Sequence, residues 1–304
     1  MLMEDVSRYV DLHRALGFKY RVQNGLLRNF AAFAEAQGDE TVFTQRVLEW
    51  AGQAPSPAQR RNRLLTVRRF ACAMQAEDDR HQIPPSGAFG QVGFKRRTPH
   101  IFSPEEIAAI LTAAAQLTPE GSIRPATYAT LFALLVATGL RSSEALALTL
   151  EDISEDGLII QDTKFRKSRL VPLHETTIRG LERYLRLRSQ LGTTATAVFV
   201  SIKGTALCYS TVVTVFLRLI RHIGLRLGPG HPGPHLHDLR HTFAARSLEQ
   251  CGSDPQAIKR HMSALSTYLG HAHVSDTYWY LHTTPMLMSQ IARVAEALHE
   301  GAQP

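Results

Sequence analysis

His235-Leu236-His237-Asp238-Leu239-Arg240-His241-Thr242 puts five ionisable side chains into eight residues, at the start of a segment whose apolar periodicity predicts a helix over Leu236–Gln250. A helix that only supports a core has no need of them. His237 and Arg240 are three apart and share a helical face, a spacing that ordinary surface faces also show. About a hundred residues upstream lies Thr138-Gly139-Leu140-Arg141-Ser142-Ser143-Glu144, where Gly139 stops one helix and another runs from Ser142 to Leu148. Taken alone, Arg141 reads as a solvated side chain beyond a helix stop. Between the two lies Thr163-Lys164-Phe165-Arg166-Lys167-Ser168-Arg169-Leu170-Val171-Pro172-Leu173, and downstream come Leu269-Gly270-His271 and, nine residues after His271, Tyr280.

The chain around these segments divides in two. Residues 1–80 read as a small helical domain, with helices over Met3–Leu16, Asn24–Gln37, Thr44–Trp50 and Pro57–Ala76, the last opened by Ser56 with Pro57 at its first position. In that last helix Val67, Phe70 and Met74 share one face, while Arg61 and Arg68 lie nearly opposite, with Arg69 nearby. That basic face can track phosphates or simply be solvated. Residues 81–99, with three prolines, three glycines and Lys95-Arg96-Arg97, read as a linker. A domain over 100–304 opens at Ser103-Pro104-Glu105-Glu106, a capping box. It continues with a buried helix from Pro125 to Thr138 and two short strands, Gly157–Gln161 and Arg169–Leu173, joined as a hairpin by a polar loop. Helices follow over Glu175–Gln190, Ser210–Ile223, Leu236–Gln250, Asp254–Tyr268, Ser275–Leu281 and Pro285–Leu298. The fold class is mainly α with a small β-hairpin.

Composition narrows the function. The 304 residues are 44% hydrophobic and 20% charged, ordinary globular usage that argues against disorder and rod-like folds. The formal charge is +7. Residues 1–99 carry 15 basic and 10 acidic side chains, so the excess is concentrated in the first third. That balance fits nucleic acid or a membrane surface, and solubility alone also accounts for it. Cys72, Cys208 and Cys251 are scattered with no C-x-x-C, against a disulfide framework or a cysteine zinc knuckle, and point to a reducing, cytoplasmic setting. The longest apolar stretch is shorter than the ~20 residues a membrane span needs. Glu4 and Asp5 stand where a secretory leader would carry basic residues. Ten of the 14 histidines fall between His222 and His299, but no recognisable metal motif accompanies them, so no metal or other cofactor is expected.

The ordered set Arg141, Lys164, His237-x-x-Arg240, Gly270-His271 and Tyr280 resembles the tyrosine recombinase (integrase) family over about residues 98–300, and more loosely in the helical N-terminal part. The resemblance implies an N-terminal, SAM-like core-binding domain and a C-terminal α+β DNA breaking–rejoining domain, together clamping duplex DNA. It implies a site of Arg141, Lys164, His237, Arg240, His271 and the nucleophile Tyr280, with Glu144 supporting the arginines; Lys167 and the basic face of Arg61, Arg68 and Arg69 are candidate DNA contacts beside it. The loop Phe165-Arg166 departs from the smaller, often Gly-containing loop common there. Recombinases of this family act as tetramers on paired sites. The stripe Leu287, Ile291, Val294 and Leu298 could dock on a neighbouring protomer or on its own domain. The phrasing around Tyr268 and Tyr280 looks more like enzymes of transposons or other mobile elements than like the housekeeping Xer pair.

These residue types suit phosphodiester cleavage. Two guanidiniums can grip the nonbridging oxygens bidentately and keep their charge when buried, which fits Arg141 and Arg240. The resemblance gives Lys164 the leaving oxygen's proton. Histidines titrating near neutrality can manage the tyrosine proton or hydrogen-bond the phosphate. A phenol of pKa about 10 needs cationic neighbours to become a nucleophile. Tyr278 and Tyr280 cannot share one site in a helix, since two steps rotate a side chain by about 200°; the resemblance selects Tyr280, and Tyr268 and Tyr278 are expected to pack. Two alternatives use related residues: a type IB topoisomerase that relaxes DNA, and a non-catalytic DNA-binding protein derived from a recombinase.

Overall fold

The computed structural model describes residues 2–90, 97–161, 168–251 and 255–270. The chain forms two compact units that divide between Arg96 and Arg97.

In the first unit α1 (Leu2–Ala15), α2 (Arg21–Glu35), α3 (Thr44–Gly52) and α4 (Pro57–Gln75) enclose a core of Leu27, Phe30, Trp50, Leu64, Val67 and Phe70. Trp50 lies edge-on to Phe30 and donates its indole N–H to Asn29 Oδ1 at 2.7 Å, so its one polar atom is satisfied inside the core. Ser56 Oγ accepts the Gln59 N–H at 3.2 Å and caps α4, with Pro57 at a position where its missing N–H costs nothing.

Residues 81–90, read from sequence as linker, belong physically to this unit. His81 is buried and its Nδ1 accepts the Val42 N–H, Gln82 N–H donates to the Val42 carbonyl at 2.7 Å, and Phe89 packs on the core. Proline and glycine rule out a helix here; they do not stop an extended chain from packing on its neighbours. Residues 91–96 lie outside the described residues, and Arg97 begins the second unit.

The second unit is built around α6 (Arg124–Thr138), which packs against α5 (Pro104–Ala115), α8 (Glu175–Ser189) and α10 (Asp238–Glu249). Thr127, Tyr128, Leu131, Phe132, Leu134, Leu135 and Thr138 are all buried, so α6 hides more than one stripe. Its threonines survive there because Thr127 and Thr138 donate to the carbonyls four residues back, Ile123 at 3.1 Å and Leu134 at 2.6 Å. Ser103 and Glu106 form the reciprocal cap expected of α5. The remaining helices are α7 (Ser142–Ala147), α9 (Tyr209–His222) and α11 (Pro255–Leu269).

The expected hairpin is present and has a third strand. β1 (Ile153–Ser154), β2 (Gly157–Ile160) and β3 (Arg169–Val171) form an antiparallel sheet in the order β1-β2-β3, with Leu158 opposite Val171, Ile159 opposite Leu170 and Ile160 opposite Arg169. β1 is only two residues long, too short to leave an alternating pattern in the sequence. Among the described residues no helix is long and apolar enough to cross a membrane.

Candidate active site

α6 ends on Gly139, which adopts φ 61°, and the chain turns directly into Arg141 at the N-cap of α7. A β-carbon on Gly139 would lie 2.8 Å from Cγ of Phe243, so this turn admits no side chain. Arg240 comes from the first turn of α10 and is 2% exposed. Its Nη1 donates to the Gly139 carbonyl and its Nη2 to the Leu269 carbonyl, both at 2.7 Å. Arg141 donates through Nη2 to the next carbonyl, Gly270, at 3.0 Å. Both arginines therefore converge on the C-terminus of α11, where unpaired carbonyls carry negative partial charge. That arrangement draws the residue before His271 up against the two guanidiniums.

Glu144 lies beneath Arg141 with its side chain 8% exposed. Its carboxylate accepts the Arg141 backbone N–H at 3.0 Å and Nη1 at 2.7 Å, together with both Nη atoms of Arg169 on β3, at 3.2 and 2.7 Å. Burial alone would raise the carboxyl's pKa. The Arg169 side-chain bonds, the Arg141 backbone N–H, the Arg169 charge and the Arg141 side-chain bond outweigh burial and hold it below the ordinary value, so it stays ionised at neutral pH.

His237 occupies the cap position of α10, one residue outside the helix, because α10 starts at Asp238 and not at Leu236. The residue is exposed. The surrounding protein, then Arg240 and less so Arg141, lower its pKa against the opposing pull of Asp238, so it is neutral at pH 7. His241 stands edge-on to it with centroids 4.8 Å apart. Burial first and His237 second push His241 down to about 4. Tyr268 stacks on Phe243 at 5.5 Å. Burial raises its hydroxyl pKa despite Arg169 and Arg240, which makes it a packed neutral phenol.

Two contributors, Arg169 and Asp238, escaped the sequence reading as site residues. Arg169 was quoted there only as strand context. Asp238, 2% exposed, takes a short ion pair from Arg97 and the His235 N–H at 2.8 Å, so the last arginine of the expected linker is a bolt on the loop before α10. Gly270 adopts φ 65°, and a β-carbon there would meet Arg169 Nη1 at 3.0 Å. The available signal for Arg169 was a charge at the start of a short, otherwise apolar strand; the structure pairs it with Ile160, next to the connecting loop. Lys164, Lys167, His271, Tyr278, Tyr280 and the segments Ser275–Leu281 and Pro285–Leu298 lie outside the described residues.

On the first unit, Arg68 Nη1 donates to the Pro84 carbonyl at 2.5 Å, Arg61 is half-buried and Arg69 is exposed. The basic face thus contains one arginine tied into the fold and one open to solvent. Among the described residues no group of three or more His, Cys, Asp or Glu could hold a metal ion.

Residues 100–286 match the phage integrase family over more than half of the chain. The chain belongs to that family. This tyrosine site-specific recombinase is 42% identical over 302 residues to a Sinorhizobium fredii protein named as integrase/recombinase y4rB, with 96% of each chain covered. It is 30% identical over 214 residues to the tyrosine recombinase XerD of Staphylococcus epidermidis, covering 69% of the recombinase and 65% of XerD. Its fold is that of a lambda integrase dimer bound to a COC' core site (TM-score 0.63, 18% identity, 93% and 95% of the two chains covered). The same fold occurs in XerH bound to a palindromic difH substrate (TM-score 0.63, 22% identity, 89% and 78% covered).

Proposed function

We propose that the recombinase cleaves and rejoins duplex DNA through a 3′-phosphotyrosine intermediate, in the integration, excision or transposition of a DNA element. The observation that carries this reading is the convergence of Arg141 and Arg240 on the Gly270 and Leu269 carbonyls, with neutral His237 beside them. Two guanidiniums held at one spot suit a phosphate with two nonbridging oxygens, whose charge grows in the transition state. In this reading the Tyr280 oxygen attacks phosphorus and the bond to the 5′ oxygen breaks. Lys164 gives the leaving oxygen its proton, and His271 or His237 takes the phenolic proton. The partner strand's 5′ hydroxyl then attacks the phosphotyrosine, so the ester's energy is conserved and neither ATP nor a metal is required.

The wider assembly belongs to the same proposal. The first unit acts as a core-binding clamp through Arg61, Arg68 and Arg69, with Lys167 as a further contact from the second. Four protomers work on two sites in the cytoplasm, and the 285–298 segment links neighbours. A nicked suicide duplex carrying the junction sequence of the element tests the chemistry. The protein should form a denaturant-resistant adduct on a 3′ phosphate, Tyr280→Phe should abolish it while keeping DNA affinity, and Tyr278→Phe should still trap DNA. An adduct on serine, or none on a verified site, overturns the mechanism. Relaxation of a supercoiled plasmid without two-site recombination would favour the topoisomerase-like alternative.

A further inference from the structure

From the bonds around Glu144 we infer that Arg169 is a positioning residue for strand cleavage, acting on the phosphate through Glu144 and Arg141. The inference rests on Arg141 being a phosphate ligand, as proposed above. Glu144 receives four hydrogen bonds on its two oxygens, two from Arg141 and two from Arg169, close to the full capacity of a carboxylate. The Arg169 pair is a fork, one Nη to each oxygen, and its side chain is only 14% exposed. Both Nη atoms serve Glu144, and Nε is buried with no hydrogen-bond partner among the described residues, so the guanidinium faces the carboxylate. Arg169 therefore differs in kind from Arg141 and Arg240.

It does two things there. Charge comes first: among the described residues Glu144 pairs with Arg141 and Arg169, and without Arg169 the carboxylate would neutralise the very guanidinium meant for phosphate. With Arg169 pairing the carboxylate, Arg141 and Arg240 together keep two positive charges for the substrate. Geometry comes second. The fork fixes the carboxylate plane, and the carboxylate in turn fixes both the backbone and the Nη1 of Arg141. A methyl on Gly270 would touch Arg169 Nη1 at 3.0 Å and Arg141 Nη1 at 3.7 Å, so the two guanidiniums flank that glycine side by side. Arg169 also sits in the last ladder pair before the connecting loop, opposite Ile160, and its bonds to Glu144 tie the sheet to α7.

The test is cleavage of a nicked duplex carrying the mapped junction sequence, made once with an ordinary scissile phosphate and once with a methylphosphonate that lacks one nonbridging charge. Arg169→Gln should slow cleavage of the phosphate on the order of 10²-fold with DNA affinity kept. Arg169→Lys, which keeps the charge and loses the fork, should recover part of the rate. The Arg141→Ala/Arg169→Gln double variant should be no slower than Arg141→Ala alone, because both act along one path. On the methylphosphonate the defects of Arg141→Ala and Arg169→Gln should shrink together. An Arg169→Gln defect that is equal on both substrates, or additive with Arg141→Ala, overturns the inference and leaves Arg169 a fold residue. An Arg141→Ala defect unchanged on the methylphosphonate removes Arg141 from the phosphate, and with it the basis of this inference. Should Arg169→Gln fail to fold, Arg169→Lys and Glu144→Gln carry the same comparison.

Discussion

Arg141 and Arg240, 99 positions apart in the chain, donate to the consecutive carbonyls of Gly270 and Leu269 at 3.0 and 2.7 Å. The two side chains are not equivalent, however. Arg240 is buried and also holds the Gly139 carbonyl, whereas the Arg141 side chain is 29% exposed.

Truncation should separate their roles. Arg141→Ala should cost about 3 kcal/mol of transition-state stabilisation, the scale of losing one oxyanion donor, with little change in melting temperature. Arg240→Ala should show a comparable kinetic loss and also lose about 1–3 kcal/mol of stability, since two buried carbonyls go unpaired. Adduct-formation rates alongside thermal melts check both, and an Arg240→Ala protein as stable as the parent would contradict the structural half.

His241 should make the protein acid-sensitive. Its pKa is about 6.5 in the unfolded chain and about 4 in the folded one, so below pH 6.5 the unfolded state binds the extra proton. The stability it contributes is complete above that pH and is lost as pH falls towards 4. Between pH 7 and pH 5 the loss should be about 2 kcal/mol. Urea unfolding of His241→Gln should show a visibly shallower decline over the same interval.

Gly139→Ala should destabilise by about 2 kcal/mol or more, from a left-handed backbone and from the Phe243 ring behind it. Adding Phe243→Ala should relieve the collision and leave the backbone strain, a non-additivity that a double-mutant cycle reads directly. Simple additivity would show that the ring moves aside without cost.

DNA affinity should fall with salt at a log–log slope near ~−7 if about eight phosphates are contacted. On the first unit, Arg69→Ala should weaken binding to all sequences without altering the melt. Arg68→Ala, which cuts the tie to Pro84, should lower the melting temperature as well. Filter binding over a salt series and calorimetry distinguish the two.

The sequence made the helices legible because capping and stop chemistry are local: Ser56, Ser103 and Gly139 punctuate the structure where they were read. Arg141 and Arg240 stood out as candidates because their order along the chain resembles one family. What a linear reading misses is partnership. Arg68 and Arg97 carry the same charge as their neighbours, and only the folded chain shows one clasping Pro84 and the other Asp238. The function of Arg169 depends on a carboxylate 25 residues earlier. No period or motif encodes that distance.

Anchoring both arginines to the carboxyl end of α11 also orders events in time. During synthesis Arg141 emerges about 130 residues before the carbonyls that align it, and Arg240 about 30 before its own. A nascent or truncated polypeptide that stops short of Leu269 carries both charges without their alignment. Alignment of the two guanidiniums is thereby the last thing this unit acquires, set only once the end of α11 is in place.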